Sequence, residues 1–494
     1  MSTIAMSYIP EALRYPGGYI EIDGSQAGLG GDLPIILLVG QKLASGSAAA
    51  GEIVRLSGVE DAKKKAGDGS MLHQMAARYR KIDPTYDMYI LPYADLPAGV
   101  AATGKITVDA AATEAGVLAL YIAQRSIVAP VAANATPADL ATAIAAAINA
   151  AGSDIPVTAA AAAAVVTLTA RHKGTCGNNV DIRLNLYGEE TPDGLSVSLT
   201  AMSGGAGDPA PGDLAAIIGN GRWFRYVALG INDNVTIAAW NTESNRRYQP
   251  PVQQGFRIFN AYRGGFEDAA TYGETKNAVH ICSVGIDTQP MTTWETAAAL
   301  CAGSGSRLQS NPVQSLEDTP LPGLVGVPGE YFQWTDANSL LFKGISMLEI
   351  GKDGTVYIKR LISMYQFRPD GSADDAFLDI NTAEVMERIR YEQITGAKKK
   401  FTGTVAAKTD EDYRPGLRIT TEDGVRAFLL SLYQNDLLRK KGWVQAYAYY
   451  KSTLVVEQDP DNPSRFNFHD TPVINSPYYI IAGKSSFLKA VPTY

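Results

Sequence analysis

The chain has 494 residues, 43 basic against 51 acidic for a net charge of −8, with 46% hydrophobic and 19% charged residues. This length sets a prior of roughly three domains with ample material for a core, and the acidic balance argues against nucleic acid as a main ligand, which needs a basic footprint. Three cysteines (Cys176, Cys282, Cys301), far apart and never in a C-x-x-C spacing, speak against a disulfide framework or zinc site and fit a reducing compartment.

Met1–Pro10 lacks the basic and apolar regions of a signal peptide. The longest apolar runs, Pro34–Val39 and Ala159–Val166, are too short to span a bilayer, so a soluble intracellular product without membrane insertion is expected. Residues 1–32, broken by Pro10, Pro16, Gly17, Gly18, Gly24, Gly28, Gly30 and Gly31, predict an extended arm with strand character at Tyr19–Ile22. A buried strand follows at Pro34–Gly40, then helical text over Val59–Arg80 interrupted at Gly67 and Gly69, then a strand at Met88–Pro92. That order predicts an α/β layer.

From Pro97 to about Pro211 the composition turns to Ala, Thr and Gly. Period-two alternation marks Ile106/Val108, Leu118/Leu120/Ile122, Val166/Leu168/Ala170, Val180/Ile182/Leu184/Leu186 and Leu195/Val197/Leu199. One helix is announced by Thr136 as N-cap and Pro137 at its first position; its stripe is Leu140, Ile144 and Ile148, and Gly152 ends it. The reading is a small β-rich domain inserted into the α/β layer.

Beyond Pro211 the α/β pattern resumes, with strands at Arg225–Ile231, Phe256–Ala261 and Ala278–Val284. Helices are expected at Val235–Tyr248, Glu267–Thr275 and Thr292–Gln309. Asn311–Gly329 reads as a long surface connection, and Ser346–Ile350 with Thr355–Ile362 as a strand pair. Asn381 with Glu384 forms a capping-box pattern for a helix that stops at Gly396. A second helix opens at Thr420/Thr421, has Glu422 and Asp423 in its first turn, and ends at Arg439-Lys-Lys-Gly442. The remainder reads as strands: Val444–Tyr450, Leu454–Val456 and Pro477–Ile481.

No motif for catalysis survives inspection. No Ser sits in G-x-S-x-G. Gly483-Lys-Ser485 has Tyr478 where a P-loop needs its first Gly. His73, His172, His280 and His469 are scattered without paired-ligand spacing, and Asp459-Pro-Asp-Asn-Pro463 lacks the turn Gly and closing Glu of a calcium loop. The Lys63–Lys65, Lys398–Lys400 and Arg439–Lys441 runs read as solvated helix ends. No cofactor or metal is expected.

The chain resembles the tail sheath proteins of Mu-like contractile phages. The insert text TPADLATAIAAAINA, IPVTA and VTLTARHKGTCGNNVDI carries the match, with the order from Tyr226 to Asn311 and, near the end, Gly416-Leu-Arg-Ile-Thr420 with the helix to Gly442. The resemblance implies a multidomain α/β fold: a sheath core of subtilisin-like topology without its triad, an inserted β-rich outer domain, an α+β C-terminal domain, and extended terminal arms. The expected boundaries are 1–32 (arm), 33–96 and 211–400 (core), 97–210 (insert), 401–476 (C-terminal domain) and 477–494 (strand arm). It implies a structural subunit, not an enzyme, that polymerises around a tail tube and contracts to drive it through the host envelope. Implied partners are further copies of the chain, the tube protein, and baseplate and tail terminator proteins, with assembly in the host cytoplasm and residence in the virion tail. Tyr19, Ile20, Ile22, Tyr478, Tyr479, Ile480 and Ile481 are then the expected inter-subunit arms, and Arg439, Lys440 and Lys441 the expected tube-facing residues. The competing reading is a soluble hydrolase with an α/β core and a β-rich binding insert, which requires a pocket of coupled titratable groups.

Overall fold

The fold starts from a strand that cannot face water. β1 (Ile35–Lys42) carries Ile36, Leu37, Leu38 and Val39, all fully buried, so both of its faces must be covered, as in a parallel sheet with helices on each side. The computed structural model describes residues 34–487 except 251 and 409–416, together with residue 489; Tyr19, Ile20 and Ile22 lie outside the described residues.

After β2 (Val54–Leu56), the helical text divides into α1 (Val59–Ala66) and α2 (Met71–Ile82). Gly67 separates them at φ 96°, a backbone angle that favours glycine, and Ser70 caps α2 by accepting from the His73 N–H at 3.1 Å. β3 (Asp87–Ala94) then lies parallel to β1, in register from Ile35–Asp87 to Lys42–Ala94.

Between β3 and the next strand of this sheet, the chain builds β4 (Ala101–Ala110), β5 (Gly116–Ile122), β6 (Arg125–Val131), α3 (Pro137–Ala150), β7 (Val157–Ala162), β8 (Val165–Lys173), β9 (Ile182–Leu184) and β10 (Ser196–Ser203). These strands form two antiparallel sheets, ordered β10-β4-β8-β7 and β6-β5-β9, and α3 packs on both. Thr136 caps α3, accepting from Asp139 N–H at 3.2 Å, and the stripe Leu140, Ile144, Ile148 is buried as its spacing predicts.

The chain returns through α4 (Leu214–Ile218), β11 (Phe224–Leu229), α5 (Asn234–Tyr248), β12 (Arg257–Tyr262), α6 (Phe266–Glu274), β13 (Ile281–Gly285), α7 (Thr293–Ser310), β14 (Thr319–Val325), α8 (Trp334–Leu341), β15 (Ile345–Ile350) and β16 (Thr355–Arg360). The main sheet has nine strands in the order β14-β16-β15-β13-β12-β11-β1-β3-β2. Its centre, from β15 to β3, is parallel throughout, while β2, β16 and β14 are antiparallel additions. The expected surface connection at 311–329 is therefore partly a sheet edge: Leu316, Leu321 and Leu324 are buried. Pro320 and Pro322 obscure it in the sequence, because proline is compatible with a strand at an edge.

The last region is α9 (Ile380–Phe401), β17 (Val405–Ala406), β18 (Ile419–Thr420), α10 (Glu422–Ser431), a π-helical run Leu432–Lys440, β19 (Val444–Gln445), α11 (Tyr447–Thr453), β20 (Val455–Gln458), β21 (Phe466–His469) and β22 (Val473–Ile474). It closes a separate core of Val385, Ile389, Leu429, Tyr433, Leu437, Val444 and Tyr450 among others, with Tyr433 and Tyr450 stacked at 3.7 Å. Several expectations fail here. α9 continues through Gly396 to Phe401, because the missing side chain admits Phe428, whose ring would lie 2.8 Å from a Cβ there. The capping box does not form: Asn381 donates its amide to Pro312 and Gln314 carbonyls at 2.7 and 3.0 Å. The helix from Thr421 changes to π hydrogen bonding at Leu432. Strand text at Val444–Tyr450 is cut at Ala446, which adopts a left-handed φ of 54° and starts α11. Pro477–Ile481 pairs with no strand among the described residues.

Candidate assembly interface

In an open parallel sheet, ligands bind beyond the carboxyl ends of the strands where the strand order reverses. Here that place lies at the ends of β1 and β11, and it is filled. A Cβ on Gly40 would meet Met71 Sδ at 3.0 Å, and one on Gly230 would meet Met75 Sδ at 2.9 Å and Trp294 Cβ at 3.1 Å. The two glycines let α2 and α7 press their methionines and tryptophan into the crevice. Three polar clasps then tie the segment between β3 and β11 to the main sheet and its helices.

In the first clasp Asp95 accepts from the His172 ring at 3.0 Å, from Lys173 N–H at 3.0 Å and from the Gln41 amide at 2.8 Å. His172 Nε2 accepts the Met71 N–H at 3.0 Å, which leaves Nδ1 as the protonated nitrogen. This Asp–His pair cannot serve a nucleophile, since its second nitrogen is occupied by backbone.

In the second clasp the buried Glu295 carboxylate binds Arg78 of α2 at 2.8 Å and Arg125 of β6 at 2.7 Å. Burial pushes its pKa up but the two guanidiniums outweigh it, and the net shift is downward. The third clasp joins Asp181 to Arg263 at 2.6 Å and to Arg183 at 2.7 Å, with Arg183 reaching Glu330 at 2.5 Å. Sequence patterning missed all three, because each depends on residues far apart in the chain.

A fourth ionic cluster ties α9 to the main sheet. Glu384 receives Arg225 at 2.7 Å and Arg388 at 2.9 Å; Glu387 receives Arg257 at 3.0 Å and the Gly255 N–H at 2.6 Å. Burial opposes the charge on Glu384, but the surrounding guanidiniums hold its carboxyl far below the usual range. His280 accepts from Arg257 at 2.9 Å, and burial together with that cation drives its pKa well down, so it is neutral. The Tyr226 hydroxyl also joins the cluster, donating to Glu384 at 3.4 Å and accepting from Arg388 at 3.3 Å, but it is fully buried and burial raises its pKa. Cys176, Cys282 and Cys301 are all buried, and burial raises the Cys282 thiol to about 12, far from a reactive thiolate. Among the described residues no group of three potential ligands could hold a metal ion. A groove of about 600 Å³ between α9, α10 and β21 is lined mainly by apolar side chains such as Met386, Ile389, Phe401, Phe428 and Phe468.

Large apolar side chains also lie exposed on the surface. Tyr478, Ile480, Ile481 and Phe487 are 69, 82, 87 and 82% exposed on the segment that follows β22. Tyr479 alone faces inward, over the Arg360 guanidinium. Trp334 and Phe342, 80 and 78% exposed around α8, were not singled out by sequence reasoning, and nothing in their spacing marks them. The three expected basic residues end the π-helical run but differ in use. Lys441 pairs with Glu392 and lies 4.5 Å from the Trp443 ring. Lys440 pairs with Asp436 at 2.9 Å, and Arg439 has only a 3.4 Å contact to Asn435.

The crevice at the strand ends is thus filled by Met71, Met75 and Trp294, and a tail of exposed apolar side chains follows β22. No family model matches the chain. It is 33% identical over 475 residues, 94% of this chain and 95% of the relative, to the Mu-like prophage FluMu tail sheath protein of Haemophilus influenzae. Among solved structures, the anti-feeding prophage helical sheath in its contracted state aligns at 12% identity over 96% of this chain and 99% of that one, with a TM-score of 0.48. The sheath tail protein from Desulfitobacterium hafniense aligns at 13% identity over 93% and 100%, with a TM-score of 0.45. The chain belongs to the tail sheath proteins of Mu-like prophages.

Proposed function

We propose that the subunit polymerises around a tail tube and contracts by rigid-body motion, with continuity between subunits carried by its terminal segments. The observation that carries this reading is the segment after β22: exposed apolar side chains on backbone that makes no ladder among the described residues. Such a segment gains main-chain hydrogen bonds by adding to the sheet of a neighbour, and those bonds do not depend on outer contacts that must change on contraction. We assign residues 477–494 and, outside the described residues, 1–32 with Tyr19, Ile20 and Ile22 to these arms.

The working division is a core of 33–96 and 211–400, an outer insert of 97–210 and a C-terminal domain of 401–476. The comparison of the core with subtilisin concerns topology only; no catalytic activity is proposed, and the crevice filled by Met71, Met75 and Trp294 supports that. Partners in this reading are further copies, the tube protein, and baseplate and terminator proteins, with assembly in the host cytoplasm. For the tube-facing tip, Arg439 and Lys440 are the better candidates, since Lys441 is engaged by Glu392 within its own subunit.

Electron microscopy of the purified chain tests the assembly reading: hollow tubes or rings of one diameter are expected, and a species that stays monomeric at high concentration overturns it. Removal of residues 480–494 is expected to abolish regular tubes, and normal tubes from that variant would refute donation by this arm. Arg439→Glu with Lys440→Glu should weaken assembly on isolated tubes while sparing assembly alone. In the unmodified chain the tube-dependent step should weaken with salt, because exposed charges are screened over about 10 Å at 0.1 M.

A further inference from the structure

The last ordered anchor of the C-terminal segment in the second core is Asn475, whose N–H donates to the Trp443 carbonyl at 2.9 Å and whose amide donates to the Gly442 carbonyl at 2.8 Å. Four residues later the chain touches a different part of the molecule. The Arg360 Cζ lies 3.5 Å from the centroid of the Tyr479 ring, and Arg360 is fixed by Asp379 at 2.8 Å. This joins the tail to the end of β16 and the N-cap of α9. Tyr478 and Ile480, on either side, face solvent. The Tyr479 hydroxyl is buried beside Ser315 and makes no hydrogen bond to Arg360, so the contact between these two residues is a ring on a cation. Burial, with Asp379 adding to it, raises the phenol to about 12.

We infer that Tyr479 anchors the tail to its own subunit through Arg360, so that the exchangeable arm starts at Ile480 and leaves from the β16–α9 junction. This rests on the reading that the arm is donated to a second copy. An anchor there serves assembly by fixing the direction of departure and shortening the free segment, which raises the effective concentration of the arm at its acceptor. Tyr479 is thus a positioning residue, and the donated contacts belong to Ile480, Ile481 and Phe487.

Photo-cross-linking in the full-length assembled protein tests it, using Tyr479→p-benzoylphenylalanine and, separately, Ile481→p-benzoylphenylalanine. The probe at 479 should give adducts of single-chain mass mapping near Ser315, Arg360 and Asp379, and the probe at 481 should give two-chain adducts. Two-chain adducts from 479 overturn the anchor. Single-chain adducts from 479 with no two-chain product from 481 uphold the anchor and sink donation instead. With the probe at 481, Tyr479→Ala should lower the two-chain yield roughly tenfold, the scale of losing a partly desolvated cation–π contact, and Tyr479→Phe should restore it; an undiminished yield in the Ala variant overturns the positioning role. If no variant assembles, the 479 probe in dispersed subunits must still label the Arg360–Asp379 region, and failure there refutes the proposal.

Discussion

Glu295 shows how the protein uses charge: one buried carboxylate holds two guanidiniums that come from opposite sides of a domain junction. Removing it leaves Arg78 buried and uncompensated, which is far worse than losing an exposed pair. Glu295→Ala is expected to cost about 3 kcal/mol, read as a lowered denaturant midpoint with an unchanged slope. His280 gives a pH signature. Its folded pKa lies well below its ordinary value of about 6.5, so the unfolded chain binds a proton first as pH falls. Its contribution is complete above about pH 6.5 and is lost at about 1.4 kcal/mol per pH unit below it. Glu295 and Glu384, both depressed, add to the acid loss once pH falls through the unfolded glutamate value of about 4.3. A His280→Gln variant should therefore flatten the stability profile between about pH 5 and 6.5; an unchanged slope there would rule out a neutral buried His280. None of this was legible beforehand. Glu384 looked like half of a capping box, a local pattern, whereas its partners Arg225 and Arg257 arrive from strands more than a hundred residues away.

Elements were legible where one local signal acted alone. The all-apolar β1, the capped α3 and the Gly67 break between α1 and α2 follow from burial, capping and glycine chemistry. They were misread where a long-range contact decided the outcome. Gly396 is a helix stop by propensity, but in the fold it is where the Phe428 ring packs against the bare backbone of α9. Gly396→Val should separate these helices and cost about 1–3 kcal/mol through overpacking, visible as an early transition in Trp443 fluorescence. An unaffected transition would show that the Phe428 ring simply moves aside. Likewise Ala446, which ends the strand text at Val444–Tyr450, takes a left-handed angle that no alanine advertises. The tail at 477–481 has strand composition but forms no strand among the described residues.

At the scale of the molecule, the insert and the sheet make one body. Their clasps lie at the carboxyl edge of the sheet, after β1, β3, β12 and β13, so the insert sits where a related architecture would admit a ligand. Asp95→Ala should cost about 1–3 kcal/mol by orphaning the groups it receives. Hydrogen exchange should rise around Gln41, His172 and Lys173 while β13 and β15 stay protected. Exchange spread evenly over the sheet would argue against a discrete junction.

The edges of the main sheet have a consequence for life at high concentration. β2 is only three residues long, and β14 sets Pro320 and Pro322 toward solvent, so neither border offers a long row of free donors. A crowded protein with exposed apolar side chains on its tail would otherwise risk stacking sheet against sheet into disordered precipitate. With both borders blunted, productive growth and precipitation are separated by design of the strands themselves. Returning the donors through Pro320→Val with Pro322→Val should raise light scattering from crowded solutions without altering the tubes that do form. Clear solutions at the same concentration would mean that something else guards the edge.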